Sequence, residues 1–433
     1  MAVACSLACS PEVSRPNLLL ITLDTTRADH TSLDSYERDT TPRLRALAAE
    51  GASFEIAYAP TATTGPTHAT LFTSLLPTQH GLIKNGMELN EELYTLAEHL
   101  SSQGWRTAAF VSSYVMSDRW GWRQGFGYFD DVFDVEGTTS KKSRWEGHRV
   151  EGGFDRRAAV TTARASAWLE LQRSGTPFFL FVHYYDPHAP YVPPDSHSGR
   201  FSRDDATPLQ REISAYDEEI AYTDFQLGRL LDTLDELDLA DDTLVVITAD
   251  HGEGLMDHAH MEHGVHVYEE QVRVPWLIRF PGVVAAGIQP SAPVGLLDLA
   301  PTVVDLLGAA AADSFTGRSL APALRGEAKL DPDHPIRFFR RHYADPSDEK
   351  GPSGVQYGIR VGEWKYIERP SEGEPELYNL RADPREKHNM IGWRPEIAAR
   401  LSDLLVRGGE DGPAEGRLSP EETKRLQALG YVE

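Results

Sequence analysis

Two segments of strand length, residues 17–23 (NLLLITL) and 243–248 (TLVVIT), are apolar almost throughout. Each then gives way to polar residues: Asp24 after the first, Asp250-His251 just after the second. A strand with one wet face alternates apolar and polar side chains. An unbroken run marks a strand covered on both faces, as in a parallel sheet held between helices. Residues 178–183 (FFLFVH) and 275–280 repeat the pattern, and 107–111 is a shorter version. Between these runs lie segments of helical periodicity. Residues 43–51 follow Thr41-Pro42, and 95–104 open on Thr95 and Glu98, a capping-box pair. Residues 158–172 and 213–237 follow, the latter with Leu227, Leu230, Leu231 and Leu234 on one side. The alternation predicts an α/β fold with a large, mostly parallel sheet flanked by helices.

Composition narrows the function classes. With 42 Lys+Arg against 66 Asp+Glu, the formal charge is −24, which repels nucleic-acid polymers and anionic lipid. An anionic substrate then needs a local device, such as a bound cation. No stretch approaches the roughly 18 uninterrupted apolar residues of a membrane span. The two cysteines, Cys5 and Cys9, precede the first strand, so the folded body has no disulfide, cysteine-held zinc or cysteine nucleophile. Residues 1–15 read as an unstructured tail without a basic signal-peptide region. Ser6-Leu7-Ala8-Cys9 resembles a lipoprotein cleavage site, which makes a truncated leader the alternative. After about Arg325, Pro, Asp and Lys thicken and short strands follow at 355–361 and 364–368. The expected organisation is a catalytic domain over 16–329 and a smaller α+β domain over 330–433, with a final helix near 420–429.

Chemistry-bearing residues gather just past strand ends, where ligands bind in open α/β sheets. Asp24 reads either as a helix N-cap or as a metal ligand. Asp250 and His251 converge on one ion if the chain turns there, and imidazole with carboxylates suits zinc or manganese better than calcium. Residues 61–81 (TATTGPTHATLFTSLLPTQHG) contain a helix expected over 67–76, with Pro66 at its start and Thr64 just before its N-terminus. Thr64 there is a cap, a turn hydroxyl or part of an anion site. Histidines cluster at His183 and His188, then at His258, His260, His263 and His266, which a solvated loop would also explain.

In this order the segments resemble the sulfatase family of the alkaline phosphatase superfamily. Residues 17–24 match the family's opening strand and metal carboxylate, and Thr64-Gly65-Pro66-Thr67-His68 its Cys/Ser-x-Pro-Ser-Arg nucleophile motif. Residues 186–191, 250–253, 268–275 and 298–302 recur in place, and 364–367, 376–380 and Asp383-Pro384 look like the family's C-terminal domain. The resemblance spans about residues 16–395. It implies an alkaline-phosphatase-like sandwich with a smaller C-terminal α+β domain, and leaves the location open, a periplasmic or lipid-anchored one being compatible with the family.

Departures from the pattern bear on the chemistry. Family sulfatases convert the Cys or Ser to formylglycine, whose hydrate attacks sulfur. Thr64 stands at that position, and oxidation of its methyl-bearing β-carbon would give a ketone, so no formylglycine is expected. A sulfated threonine leaves only by slow attack of water on sulfur, whereas a phosphorylated one is released by in-line attack beside a metal. His68 replaces the motif arginine, and residues 111–114 (VSSY) replace a lysine-bearing segment. The set Asp24, Thr64, Asp250 and His251 resembles the phosphodiesterase and phosphonate monoester hydrolase branches. It implies one divalent metal, Mn²⁺ or Zn²⁺ ahead of Ca²⁺ or Mg²⁺. The expected reaction is hydrolysis of a small phosphodiester or phosphonate monoester through phosphothreonine. Thr64 is the nucleophile, His188 or His263 the acid–base group, and His68, in the nucleophile motif, a further catalytic candidate. A second metal would draw on Asp186, His188 and His266. The rivals are a sulfuric ester hydrolase and an inactive anion-binding protein.

Overall fold

A computed structural model describes residues 15–133, 144–145, 148–150, 153–172, 176–343, 354–370 and 373–407. The N-terminal tail to residue 14 and the helix expected near 420–429 lie outside them.

Seven strands form the central sheet: β1 Asn17–Leu23, β2 Ala52–Ser53, β3 Arg106–Val111, β4 Tyr128–Asp130, β5 Phe178–Tyr184, β6 Thr243–Ala249 and β7 Trp276–Arg279. Their spatial order is β2-β7-β6-β1-β5-β3-β4. β1 pairs in parallel with β5 and β6, and β3 runs parallel to β5 and β4. Only the edge formed by β7 and β2 is antiparallel. Every residue of β1, β5 and β6 is buried, the outcome their unbroken apolar runs require.

Helices cover the sheet. The helix Pro208–Glu236 packs against Ala158–Glu170 and Pro42–Glu50. It starts five residues before the expected Ile213, because Thr207 and Gln210 make a reciprocal capping box with Pro208 in the first turn. Thr95 and Glu98 cap Leu96–Ser102 in the same way. The strand ends matter most. Leu23 lies level with Tyr184 on one side and Ala249 on the other, so Asp24, Tyr185 and Asp250 leave the sheet together at its carboxyl edge.

A second, antiparallel sheet comprises Ile336–Tyr343, Gly354–Val361, Trp364–Glu368 and Glu376–Asn379 in chain order, backed by the helix Pro395–Asp403. It joins the first body through a buried ion cluster. Lys365 Nζ lies 3.0 Å from Glu269 Oε1 and 3.0 Å from Glu386 Oε1, and Tyr58 donates to Glu269. Deleting one member of such a cluster leaves uncompensated buried charge, at a cost of about 3–5 kcal/mol. No described helix is long and apolar enough to cross a membrane.

Candidate active site

Asp24 extends β1 by one residue, its N–H bonded to the Tyr184 carbonyl, and it is wholly buried. It caps no helix. One carboxylate oxygen, Oδ2, faces His183 Nε2 at 3.2 Å, while Oδ1 has no hydrogen-bond partner. Asp250 repeats the arrangement at the end of β6. Its Oδ1 accepts from the N–H groups of Thr25 (3.1 Å) and His251 (2.8 Å), and its Oδ2 is unpartnered. To bring its N–H to Asp250, Thr25 takes a left-handed conformation (φ 52°), strained for a β-branched residue. Tyr216 secures that turn by donating to the Thr25 carbonyl and accepting from Arg27 N–H.

His251 supplies a third donor. Its Nδ1–H donates to the Gly252 carbonyl at 2.9 Å, which leaves Nε2 as the lone-pair nitrogen. That atom lies 3.9 Å from Asp24 Oδ1, 3.6 Å from Asp250 Oδ2 and 3.3 Å from Thr64 Oγ1. Burial depresses the imidazole to about 4 despite the neighbouring Asp250, so it is neutral, as a metal ligand must be. Burial, then the like charges of Asp250 and Glu253, push Asp24 well above the ordinary carboxylate range. Two orphaned carboxylate oxygens, a bare imidazole nitrogen and a hydroxyl converging in a buried site fit a divalent cation. The ligand atoms of Asp24, Asp250 and His251 all lie within 4.8 Å of one another.

His68, His183 and Asp250 form a second cluster of the same span. Its histidines are already committed. Ser112 N–H reaches His183 Nδ1 at 3.4 Å, so His183 carries its proton on Nε2 and spends it on Asp24. His68 Nδ1–H donates to the Thr64 carbonyl at 2.8 Å and its Nε2 accepts from Thr22 at 2.9 Å. The His68 ring therefore pins the Thr64 helix to β1 from below, among Phe72, Trp122 and Phe181.

The helix bearing Thr64 runs Thr64–Thr73, not 67–76. Thr64 is its first residue, Thr63 is the cap without a side-chain bond, and Pro66 is the third residue. Thr64 Oγ1 thus does not cap the helix; its partner is His251. The anion site expected at this N-terminus has fewer helix N–H groups to offer than a regular first turn. Pro66 has none, and the Gly65 N–H is taken by Asn85 Oδ1 at 2.7 Å. That bond places the Asn85 amide beside Thr64, a residue no sequence signal singled out.

Two further histidines stand over the cluster. The His263 ring lies 4.4 Å from that of His251 and 5.0 Å from that of His188, centroid to centroid. His263 Nδ1 bonds Glu253 Oε1 at 3.1 Å; burial opposes the charged ring, but the Glu253 carboxylate prevails and raises its pKa. His188 instead donates Nδ1–H to the Ala189 carbonyl at 2.7 Å and stacks on Tyr185. Burial and then His263 depress it to about 3. The second metal expected from Asp186, His188 and His266 does not match the structure. Asp186 accepts from Ala158 N–H at 2.7 Å and pairs with Arg157 at 3.5 Å, and His266 packs beside Tyr268 and His260. His258 stacks on Tyr268 and bonds Glu270.

This sheet, with a hydroxyl-bearing helix and a carboxylate–imidazole cluster at its carboxyl edge, defines an alkaline-phosphatase-like ester hydrolase. The sulfatase family model matches residues 16–309, and the C-terminal model of N-sulphoglucosamine sulphohydrolase matches 257–407. The chain belongs to the sulfatase family, whose members use a divalent metal. It is 25% identical over 500 residues to an N-acetylglucosamine-6-O-sulfatase of Bacteroides thetaiotaomicron, covering 93% of this chain and 87% of that protein. It is 26% identical over 439 residues to a choline-sulfatase of Rhizobium meliloti, covering 87% and 82%. The crystal structure of a phosphonate monoester hydrolase of Agrobacterium radiobacter superposes with a TM-score of 0.74 at 23% identity, covering 96% of each chain.

Proposed function

We propose that the protein hydrolyses phosphodiesters or phosphonate monoesters through a covalent intermediate on Thr64. The observation that carries this reading is the nucleophile position itself. A threonine, which cannot yield the formylglycine aldehyde, holds its Oγ1 3.3 Å from the lone-pair nitrogen of His251 in a buried donor cluster. Asp24, Asp250, His251 and Thr64 would hold one Mn²⁺ or Zn²⁺. When bound, the cation lowers the pKa of the Thr64 hydroxyl and neutralises a nonbridging oxygen of the substrate.

The chain's own groups divide the remaining work. Thr64, ionised with its proton released to solvent, attacks phosphorus in line, and the bond from phosphorus to the ester oxygen opposite breaks. The Asn85 amide, whose Oδ1 accepts from Gly65 N–H next to Thr64, would offer its NH2 to a second nonbridging oxygen. His263, its pKa raised by the Glu253 carboxylate, is the acid that protonates the departing oxygen. His188, kept neutral, has Nε2 available to take the proton of the water that then attacks phosphothreonine. His68 positions Thr64 through its carbonyl.

The test is turnover of bis-p-nitrophenyl phosphate, p-nitrophenyl phenylphosphonate and p-nitrophenyl sulfate by the Mn²⁺- and Zn²⁺-loaded enzyme. Phosphorus ester turnover exceeding sulfate turnover by about 100-fold is the expected result. The reverse order would make the protein a sulfuric ester hydrolase. Stoichiometric metal with no turnover of any ester would favour an anion-binding role.

A further inference from the structure

The loop that follows Asp250-His251 turns back on itself in an unusual way. Leu255, Met256 and Ala259 all have positive φ (44°, 70° and 58°), a strained state for side chains that favour no such conformation. Leu255 N–H bonds the Met261 carbonyl and Met256 N–H the His260 carbonyl, both at 2.9 Å. The returning limb presses onto Gly254, where a Cβ would sit 2.3 Å from His260 O and 2.5 Å from Glu262 O. The product of this folding is one contact: His263 Nδ1 arrives 3.1 Å from Glu253 Oε1.

Glu253 is wholly buried and has further bonds. Its Oε1 also accepts from Gly254 N–H at 3.2 Å, and its Oε2 accepts from Tyr191 O–H at 2.9 Å. Its carbonyl accepts from Arg27 at 3.2 Å. The carboxylate is therefore held by two bonds, and its backbone by a third, before His263 reaches it. Because Nδ1 donates to Glu253, the nitrogen left to face the cluster is Nε2, on a ring lying 4.4 Å from His251.

We infer that Glu253 is the positioning residue of the leaving-group acid: it holds the His263 ring so that Nε2–H, and not Nδ1–H, faces the departing ester oxygen. This rests on the assignment of His263 as that acid. In the step concerned, Thr64 oxygen bonds to phosphorus, the phosphorus–ester oxygen bond breaks, and the Nε2 proton passes to that oxygen. Glu253 touches no reacting atom. Its role in the step is orientation, so an uncharged acceptor of the same shape should serve in part, and loss of the acceptor should matter most where the departing oxygen needs a proton.

A leaving-group comparison isolates this. Methyl p-nitrophenyl phosphate releases an oxygen that departs readily without a proton; methyl phenyl phosphate does not. For Glu253→Ala, kcat/KM should fall about 100-fold or more on the phenyl ester and less than about tenfold on the nitrophenyl ester, the range of general acid catalysis. Glu253→Leu, which fills the space without an acceptor, should behave alike and serves if the alanine variant folds poorly. Glu253→Gln keeps an amide oxygen for Nδ1–H but not the charge, so it should stay within about fivefold of wild type on the nitrophenyl ester and lose clearly less than Glu253→Ala on the phenyl ester. Tyr191→Phe, which removes only the far bond, should stay within about threefold. An equal loss on both esters in folded Glu253→Ala and Glu253→Leu, no loss on the phenyl ester, or failure of Glu253→Gln to rescue would each overturn the inference. His263→Ala separates the two levels. A selective loss there without one at Glu253 removes only the positioning role, whereas no selectivity in His263→Ala removes the acid assignment itself.

Discussion

His183 Nε2 and Asp24 Oδ2, on neighbouring parallel strands, lie 3.2 Å apart, and the Ser112 N–H at His183 Nδ1 makes the imidazole the donor. One oxygen of Asp24 is thereby saturated and the other left bare. Asp250 arrives at the same state by a different route, its saturated oxygen held by two backbone N–H groups. Metal ligands need such outer partners to keep their orientation.

Asp250→Ala should therefore remove bound metal and activity together. The substitution leaves the Thr25 and His251 N–H groups without their acceptor, and each unsatisfied group costs about 1–3 kcal/mol. The protein should nevertheless fold, since the hydrophobic core around β1, β5 and β6 is untouched. Elemental analysis of the purified variant beside circular dichroism is the check. Normal metal content would show that Asp250 is no ligand.

If water attacks phosphorus in the second step, hydrolysis in heavy-oxygen water should put the label into the released phosphate monoester or phosphonate. Mass spectrometry of the product under single-turnover conditions reads this directly. Label in the alcohol alone would mean carbon–oxygen cleavage and contradict the phosphothreonine route.

Much of this architecture was legible in the sequence, for a reason visible in the burial. β1, β5 and β6 are buried on both faces, so their apolar runs are unbroken and their ends stand out within a residue. The Thr64 helix was harder. Leu75 and Leu76 continue the apolar character past its end at Thr73, and Ser74 stops it by turning left-handed (φ 52°), which no residue type announced. The start of Pro208–Glu236 was readable in Thr207, Pro208 and Gln210, but its first turns are largely exposed and carry no apolar stripe. Contacts made by non-local folding were beyond reach. Nothing in the spacing of Glu253 and His263 says that a strained loop returns one to the other, and Asn85 meets Gly65 only because the intervening chain doubles back.

The buried histidines carry a pH dependence of stability. His80 is a useful reporter because it is remote from the ligand cluster. Leu82 N–H reaches its Nδ1 at 3.1 Å and its Nε2 pairs with Thr70 Oγ1 at 3.2 Å. Burial depresses it to about 3. Between that value and its ordinary one near 6.5, the unfolded chain binds a proton that the folded chain does not. Stability is therefore lost as pH falls through this window, by about 2 kcal/mol at pH 5 from this group. His80→Asn keeps an acceptor for Leu82 and cannot titrate. Urea unfolding at pH 7 and pH 5 should show the variant losing about 2 kcal/mol less than wild type. Equal losses would show that His80 does not stay neutral in the folded state.

Thr64 decides the mechanism. Its Oγ1 lies 3.3 Å from His251 Nε2, and the capping role at this helix belongs to Thr63 by position. Had Thr64 been a cap, alanine would cost about 1 kcal/mol of stability and leave turnover nearly intact. As the nucleophile it predicts the opposite balance. Thr64→Ala should lose several orders of magnitude in kcat with little change in thermal stability, because the attacking oxygen and one metal contact vanish while the helix keeps its bonds. Thr64→Ser retains both oxygen functions and should keep substantial phosphodiesterase activity. Expressed in a host that makes formylglycine, the serine variant should also become open to that conversion, and sulfate-ester turnover would then rise from a low base. Turnover of a phosphodiester and a sulfate ester by the three proteins at saturating Mn²⁺ checks all of this. An alanine variant within tenfold of wild type would show that Thr64 does not attack phosphorus.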